Sequence, residues 1–151
     1  MNYWLIKSER DCYSIDDLKK DKRTPWSGIR NYQARNFIRD GMKKGDLALF
    51  YHSSSEPTGI YGIAKVVSAP YPDPTQFDIK DDHYDPKATK DNPIWTVVDM
   101  AFVKKFKEPI SLGQLRLEKK LSGMIVLEQG SRLSVMPVSE AHFKHIENLT
   151  K

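Results

Sequence analysis

The chain has 151 residues, 39% of them hydrophobic and 11% aromatic, with 24 Lys and Arg against 20 Asp and Glu. That length suits one ordinary domain with a real core, and the composition excludes a disordered chain. Apolar runs such as LALFY are far too short to span a bilayer, and the lone Cys12 excludes an intrachain disulfide or a cysteine zinc site.

The chain opens with MNYWLIKSER, which has neither a basic leader nor a small-residue cleavage site, so an intracellular protein is expected. Tyr3–Lys7 reads as a strand whose end carries Lys7, Ser8 and Glu9. A helix follows, because Ser14 with Asp17 has capping-box spacing and Tyr13 with Leu18 has the spacing of a hydrophobic staple. The next stretch, TPWSGIRNYQARNFIRDGMKKGD, puts a large apolar ring, Trp26, in a Pro/Ser/Gly loop with arginines behind it. Asn31 is expected to cap a helix running to about Asp40, with Gly41 as its C-terminal stop. At 100° per residue Ala34, Phe37 and Ile38 share the buried face, and Tyr32, Arg35, Asn36 and Arg39 the opposite one.

Asp46–His52 is apolar on both faces, as in a strand covered on both sides, and delivers Tyr51, His52 and Ser53 into a Gly/Pro turn. Ile60–Ala69 and Ile94–Phe106 also read as strands, separated by a long polar loop between Pro70 and Pro93. Ser111 with Gln114 forms a second capping box, stapled by Ile110 and Leu115. Gly123–Glu128 and Arg132–Val138 are the last expected strands, and Ser139 opens the final helix with Val138 and Phe143 as its staple. Six strands mixed with short helices, without regular β-α-β alternation, predict a single α+β domain over residues 1–151, built on a curled sheet or small barrel.

Charge is uneven along this chain. Residues 19–44 hold nine Lys and Arg against Asp21 and Asp40, while the other residues hold 15 bases against 18 acids. A basic segment on a slightly acidic body suits an anionic partner such as nucleic acid; a solvated helix face is the plainer alternative.

Catalytic and metal signatures are sparse. There is no Gly-rich phosphate loop and no nucleophile elbow. His142 and His145 lie three residues apart without a third ligand at recognisable spacing, so a surface pair is expected and no metal. Asp78, Asp81, Asp82, His83 and Asp85 fit no calcium-loop spacing and read as a flexible acidic loop. Cys12 has no activating partner in sequence. Lys7, Glu9 and His52 form a conceivable acid/base set, or else a surface pair and a satisfied histidine. Trp26 is either a core plug, needed for folding, or a stacking ring, needed for binding and little for stability.

Taken together, NYWLIKSERDCYSIDDL, WSGIRNYQARNFIRDGMKKGDLALFYHS, GIYGIAKVV, HYDPKATKDNPIWTVVDM and GMIVLEQGSRLSVMPVS resemble the successive motifs of the EVE domain family, of the PUA-like superfamily. Arg10 stands where that family usually has proline, and Met136 where glutamine is common. The resemblance implies a PUA-like mixed β-barrel of about six strands flanked by short helices, similar to YTH domains, which hold a methylated adenine of RNA in an aromatic cage. It implies a non-enzymatic reader of modified bases in DNA or RNA, modified cytosine in DNA foremost, with no cofactor. The base-binding set is then expected to be Lys7, Ser8, Trp26, Ser27, Asn31, Tyr51, His52 and Ser53, with Tyr51 as a second ring beside Trp26. Arg30, Arg35, Arg39 and Arg132 are expected on the phosphates. Two rivals remain: a PUA-like hydrolase or nuclease of the ASCH type using Lys7, Glu9 and His52, and a protein-interaction module that binds no nucleic acid.

Overall fold

The computed structural model describes residues 1–8, 12–53, 56–128 and 133–151. The expected roles of Glu9, Arg10 and Arg132 fall on residues outside that description.

Six strands build one mixed, curled sheet: β1 (Tyr3–Ser8), β2 (Arg23–Pro25), β3 (Leu47–His52), β4 (Gly59–Val66), β7 (Asp99–Ser111) and β8 (Val135–Val138), in the order β2-β7-β4-β3-β1-β8. Among the described residues only β1 and β3 pair in parallel, in a register that sets Lys7 beside Tyr51 and Ser8 beside His52. A two-stranded ribbon of β5 (Tyr71–Pro72) and β6 (Thr96–Val97) stands apart from it. Ala48 to His52 are all buried, as expected for a strand covered on both faces. Leu5, Ile6, Leu49, Phe50 and Ile60 are wholly inaccessible, each contributing about 1.5–3 kcal/mol by leaving water.

Four α-helices flank the sheet: α1 (Ile15–Asp21), α2 (Tyr32–Asn36), α3 (Leu112–Leu117) and α4 (Glu140–Leu149). Their starts are those expected. Ser14 and Ser111 form reciprocal capping boxes with Asp17 and Gln114, and the Ser139 side chain accepts from the His142 N–H. The Asn31 side chain likewise accepts from the Ala34 N–H at 2.9 Å. Among the described residues no helix is long and apolar enough to cross a membrane.

Two expectations are corrected. Gly123–Glu128 is not a strand; Ile125–Leu127 is a 3-10 turn that drops Val126 into the core, and a run as short as MIVL does not distinguish the two. Arg23–Pro25, expected as loop, is an edge strand whose proline is tolerated there. The helix ends at Gly41, as expected: α2 widens into a π-helical turn over Phe37–Gly41, closed by the Met42 N–H on the Phe37 carbonyl at 2.9 Å. A Cβ on Gly41 would lie 2.7 Å from the Trp4 ring, so the residue is small because the helix end rests on Trp4.

Candidate functional site

The main opening is a cleft of about 510 Å³ between the end of β1, the segment after β2 and the long polar loop. Its lining includes Lys7, Ser8, Tyr13, Trp26, Arg30 and His83. That volume is in the range of small-ligand pockets, roughly 300–1,000 Å³.

Trp26 is placed by backbone pairing. Its N–H donates to the Val98 carbonyl at 2.8 Å, one step past the β2–β7 ladder, which turns the indole inward. The ring meets Phe50 at 5.5 Å and Tyr13 at 6.2 Å between centroids, edge-on in both cases. Trp26 retains 7% of its surface, so it is a core residue and a cleft wall at once; the two roles set against each other in sequence are held by one side chain. The Tyr13 hydroxyl donates to Asp21 at 2.8 Å, and burial together with that bond pushes its pKa up to about 12, leaving a neutral ring at the cleft.

Arg30 is committed to the protein itself. Its guanidinium donates to Asp73 at 3.0 Å, to the Thr75 hydroxyl at 3.0 Å, and twice to the His83 carbonyl, at 3.0 and 2.7 Å. Asp73 is completely buried and also accepts from the Gly28 N–H at 2.9 Å. Burial pushes the Asp73 carboxyl up, but the bonds from Thr75, Gly28 and Arg30 outweigh it and hold the group below the ordinary carboxylate range. Gly28 has φ +83°, and a Cβ there would stand 2.9 Å from the His83 ring. One lip of the cleft is therefore a glycine pressed under a histidine, clamped by an arginine–aspartate pair.

The expected base-binding residues divide. Lys7, Ser8, Trp26 and Ser27 line the cleft. Lys7 is half-buried, which lowers its pKa, and its ammonium lies 5.8 Å from the Tyr51 ring centre. The Ser8 hydroxyl donates to the Tyr13 carbonyl at 2.6 Å. Tyr51, His52, Ser53 and Asn31 lie outside the lining. Tyr51 is buried within β3, and Tyr13 is the ring that stands beside Trp26. His52 is buried against Tyr61, with ring centroids 3.9 Å apart, and its Nε2 accepts the Ile15 N–H at 3.2 Å. Asn31 spends its carbonyl oxygen on the cap of α2. The expected phosphate set divides as well: Arg35 donates to the Ile94 carbonyl and to Asn36, whereas Arg39 is exposed and, among the described residues, has its neighbour Asp40 as its one ion partner.

Sequence reasoning missed Tyr13, Gly28 and His83. The loop holding His83, expected to be flexible, is tied down: Gln76 bonds the backbone of Asp73, Ile94 and Trp95, and Asp85 accepts the Trp95 indole N–H at 2.8 Å. His145, expected as half of a surface pair, instead meets Glu118 at 2.7 Å.

Comparison with known proteins gives a consistent picture. The family whose model matches this chain is the EVE domain, over residues 2–149. Thymocyte nuclear protein 1 of Gallus gallus is 42% identical over 97% of this chain and 68% of its own length. A crystal structure of a Pseudomonas syringae protein superposes with a TM-score of 0.94 at 45% identity, covering 99% of both chains. Human THYN1, crystallised in complex with 5-methylcytosine-containing DNA, superposes with a TM-score of 0.92 at 39% identity, covering 100% of this chain and 98% of its own.

Proposed function

The chain belongs to the EVE domain family, and from that premise we propose that it reads a modified cytosine in DNA, held out of the stack in the cleft beside Trp26. The observation that carries this reading is the likeness, over the whole chain, to a protein crystallised on 5-methylcytosine-containing DNA. The cleft supplies the chemistry such a reader needs. An extruded base has lost its stacking and regains about 1–3 kcal/mol on an aromatic face. Trp26 and Tyr13 stand at 80° to each other, so they form a corner and not a parallel cage. A base lying flat on one ring meets the other edge-on. Lys7, Ser8, Ser27 and His83 surround that corner with polar groups for the base edges.

The reaction class is recognition without turnover. The hydrolase rival needs Lys7, Glu9 and His52 to act together at the cleft; Lys7 lines it, but His52 is packed behind Tyr61 with its Nε2 accepting a backbone N–H. The interaction-module alternative gains nothing from a base-sized opening walled by aromatic rings.

The test is a set of duplexes identical except for one cytosine. Removal of its 5-methyl group should weaken binding by about 10–200-fold, the range for one methyl-sized group in an apolar pocket. Equal dissociation constants for cytosine and 5-methylcytosine would sink the assignment, as would product in mass spectra of the recovered strands.

Salt dependence separates the arginines. Arg39→Ala should flatten the slope of log affinity against log salt by roughly 0.9, the value for one phosphate contact on duplex DNA. Arg30→Ala should instead lower folding stability, since its donors all go to the protein. A titration in which Arg30→Ala flattens the slope at unchanged stability would reverse that division.

A further inference from the structure

The cleft does not end at Arg30. On its far side the Arg30 guanidinium lies over the Trp95 ring at 5.3 Å, and Trp95 packs against Tyr32 with centroids 4.9 Å apart. Arg35, one turn along from Tyr32, lies 4.9 Å from the Tyr32 ring and 5.9 Å from that of Trp95. Two stacked contacts thus carry the surface from the cleft to Tyr32, a distance of a few nucleotide steps at about 3.4 Å each. Tyr32 nevertheless leaves 58% of its surface open, while Trp95 beneath it retains 5%. An exposed tyrosine on a short helix ordinarily turns freely in water. This one is held by a tryptophan, a guanidinium and the helix itself, so its ordering entropy is spent before any ligand arrives. A groove of about 330 Å³ opens beyond Trp95, walled by Tyr71, Pro72, Pro93 and Ile94 and edged by Arg39, whose exposed pair with Asp40 is readily exchanged for another anion.

We propose that the Tyr32–Arg35–Trp95 stack is a second nucleotide subsite, which takes a base of the same DNA strand a few steps from the extruded one, with Arg39 on its phosphate. The inference rests on the reading of the cleft as a modified-base site, because continuity with that cleft through Arg30 is what selects a nucleotide as the occupant. A ring and a cation side by side suit an unpaired base and its phosphate in any sequence, since every base out of the stack offers a π-face. The subsite therefore adds affinity and leaves the choice of base to the cleft.

The experiment measures binding of wild type, Tyr32→Ala, Tyr32→Leu and Tyr32→Phe to duplexes with and without one 5-methylcytosine, each continued as a single strand a few steps from that position, alongside thermal melts. Tyr32→Ala and Tyr32→Leu should lose roughly 5- to 150-fold in affinity for both duplexes, with the ratio between the duplexes unchanged. Tyr32→Phe should bind as wild type does. Leucine keeps an apolar cover over Trp95, so a loss shared by Ala and Leu reports the lost π-face and not a disturbed Trp95. Wild-type preference for the methylated duplex, with Tyr32→Ala and Tyr32→Leu binding as tightly as wild type, overturns the subsite and leaves the cleft standing. A change in the methylated-to-unmethylated ratio in Tyr32→Ala also overturns it, by placing Tyr32 in base choice. If wild type shows no preference, both readings fall.

Discussion

Trp26→Ala is expected to cost about 3–5 kcal/mol of folding stability, the range for truncating a large buried aromatic. The indole is 93% buried, packs edge-on against Phe50 and Tyr13, and closes the end of the β2–β7 ladder through its backbone. Because the same ring walls the cleft, the folded fraction should also bind a modified-base duplex about 1–3 kcal/mol more weakly. Trp26→Phe separates the two effects, since it keeps an aromatic face and loses part of the packing. Denaturant unfolding gives the first quantity, and titrations of the folded population at low temperature give the second. Unaltered affinity in folded Trp26→Ala would take the ring out of the site and leave it a core residue alone.

Asp73→Ala should be about as damaging, with a loss of about 3–5 kcal/mol, because it strands Arg30 without its carboxylate and leaves the Gly28 N–H without its acceptor. Asp73 is wholly buried and the Arg30 side chain keeps 21% of its surface, so the pair is shielded from solvent mainly on the Asp73 side. The double variant Asp73→Ala/Arg30→Met should recover part of the loss, since no buried charge then lacks a partner. A coupling below about 0.5 kcal/mol in that cycle would show that the pair does not act as a unit. The pH dependence has a definite sign. The Asp73 carboxyl is held below its unfolded value of about 3.9, so its contribution is fully present above that pH and is lost as pH falls through the lower, folded value. Wild type should therefore lose more stability on acidification below about pH 4 than Asp73→Ala does, a difference that melts in acid buffers would reveal.

What the sequence made legible was local. The caps at Ser14, Ser111 and Ser139 depend on a partner three residues away, and each forms as read. The strands β1, β3 and β4 announce themselves by apolar runs bounded by turn residues. The candidate site was legible only in outline. Trp26 and the end of β1 stand out in sequence, whereas His83 enters the cleft because Arg30 grips a carbonyl 53 residues away, and no spacing rule reports that. Asn31 was expected both to cap a helix and to read a base; its carbonyl oxygen caps α2, and the residue lies outside the cleft lining. Arginines 30, 35 and 39 look alike in a charge count, yet their donors end on a buried carboxylate, on backbone and neighbouring amide oxygens, and on an exposed acid. Net charge says nothing about which cations are already engaged.

The parallel pairing of β1 with β3, and its antiparallel pairing with β8 on the other side, sets an order of assembly during synthesis. β1 lies inside the sheet, flanked by β8, a strand made long after it. Until β8 arrives, the outer edge of β1 is a row of bare N–H and C=O groups open to another chain. Tyr3 must close with Val138 across a loop about three times as long as the one closing it with Leu47, an added entropy of only about 1 kcal/mol. The delay is therefore one of time, imposed by the pace of the ribosome. The cleft shares that delay, because the Lys7 N–H is bonded to the carbonyl of Ser134, which is itself part of the lining. The cleft thus lacks one wall until Ser134 has been made, more than 100 residues after Tyr13 and Trp26.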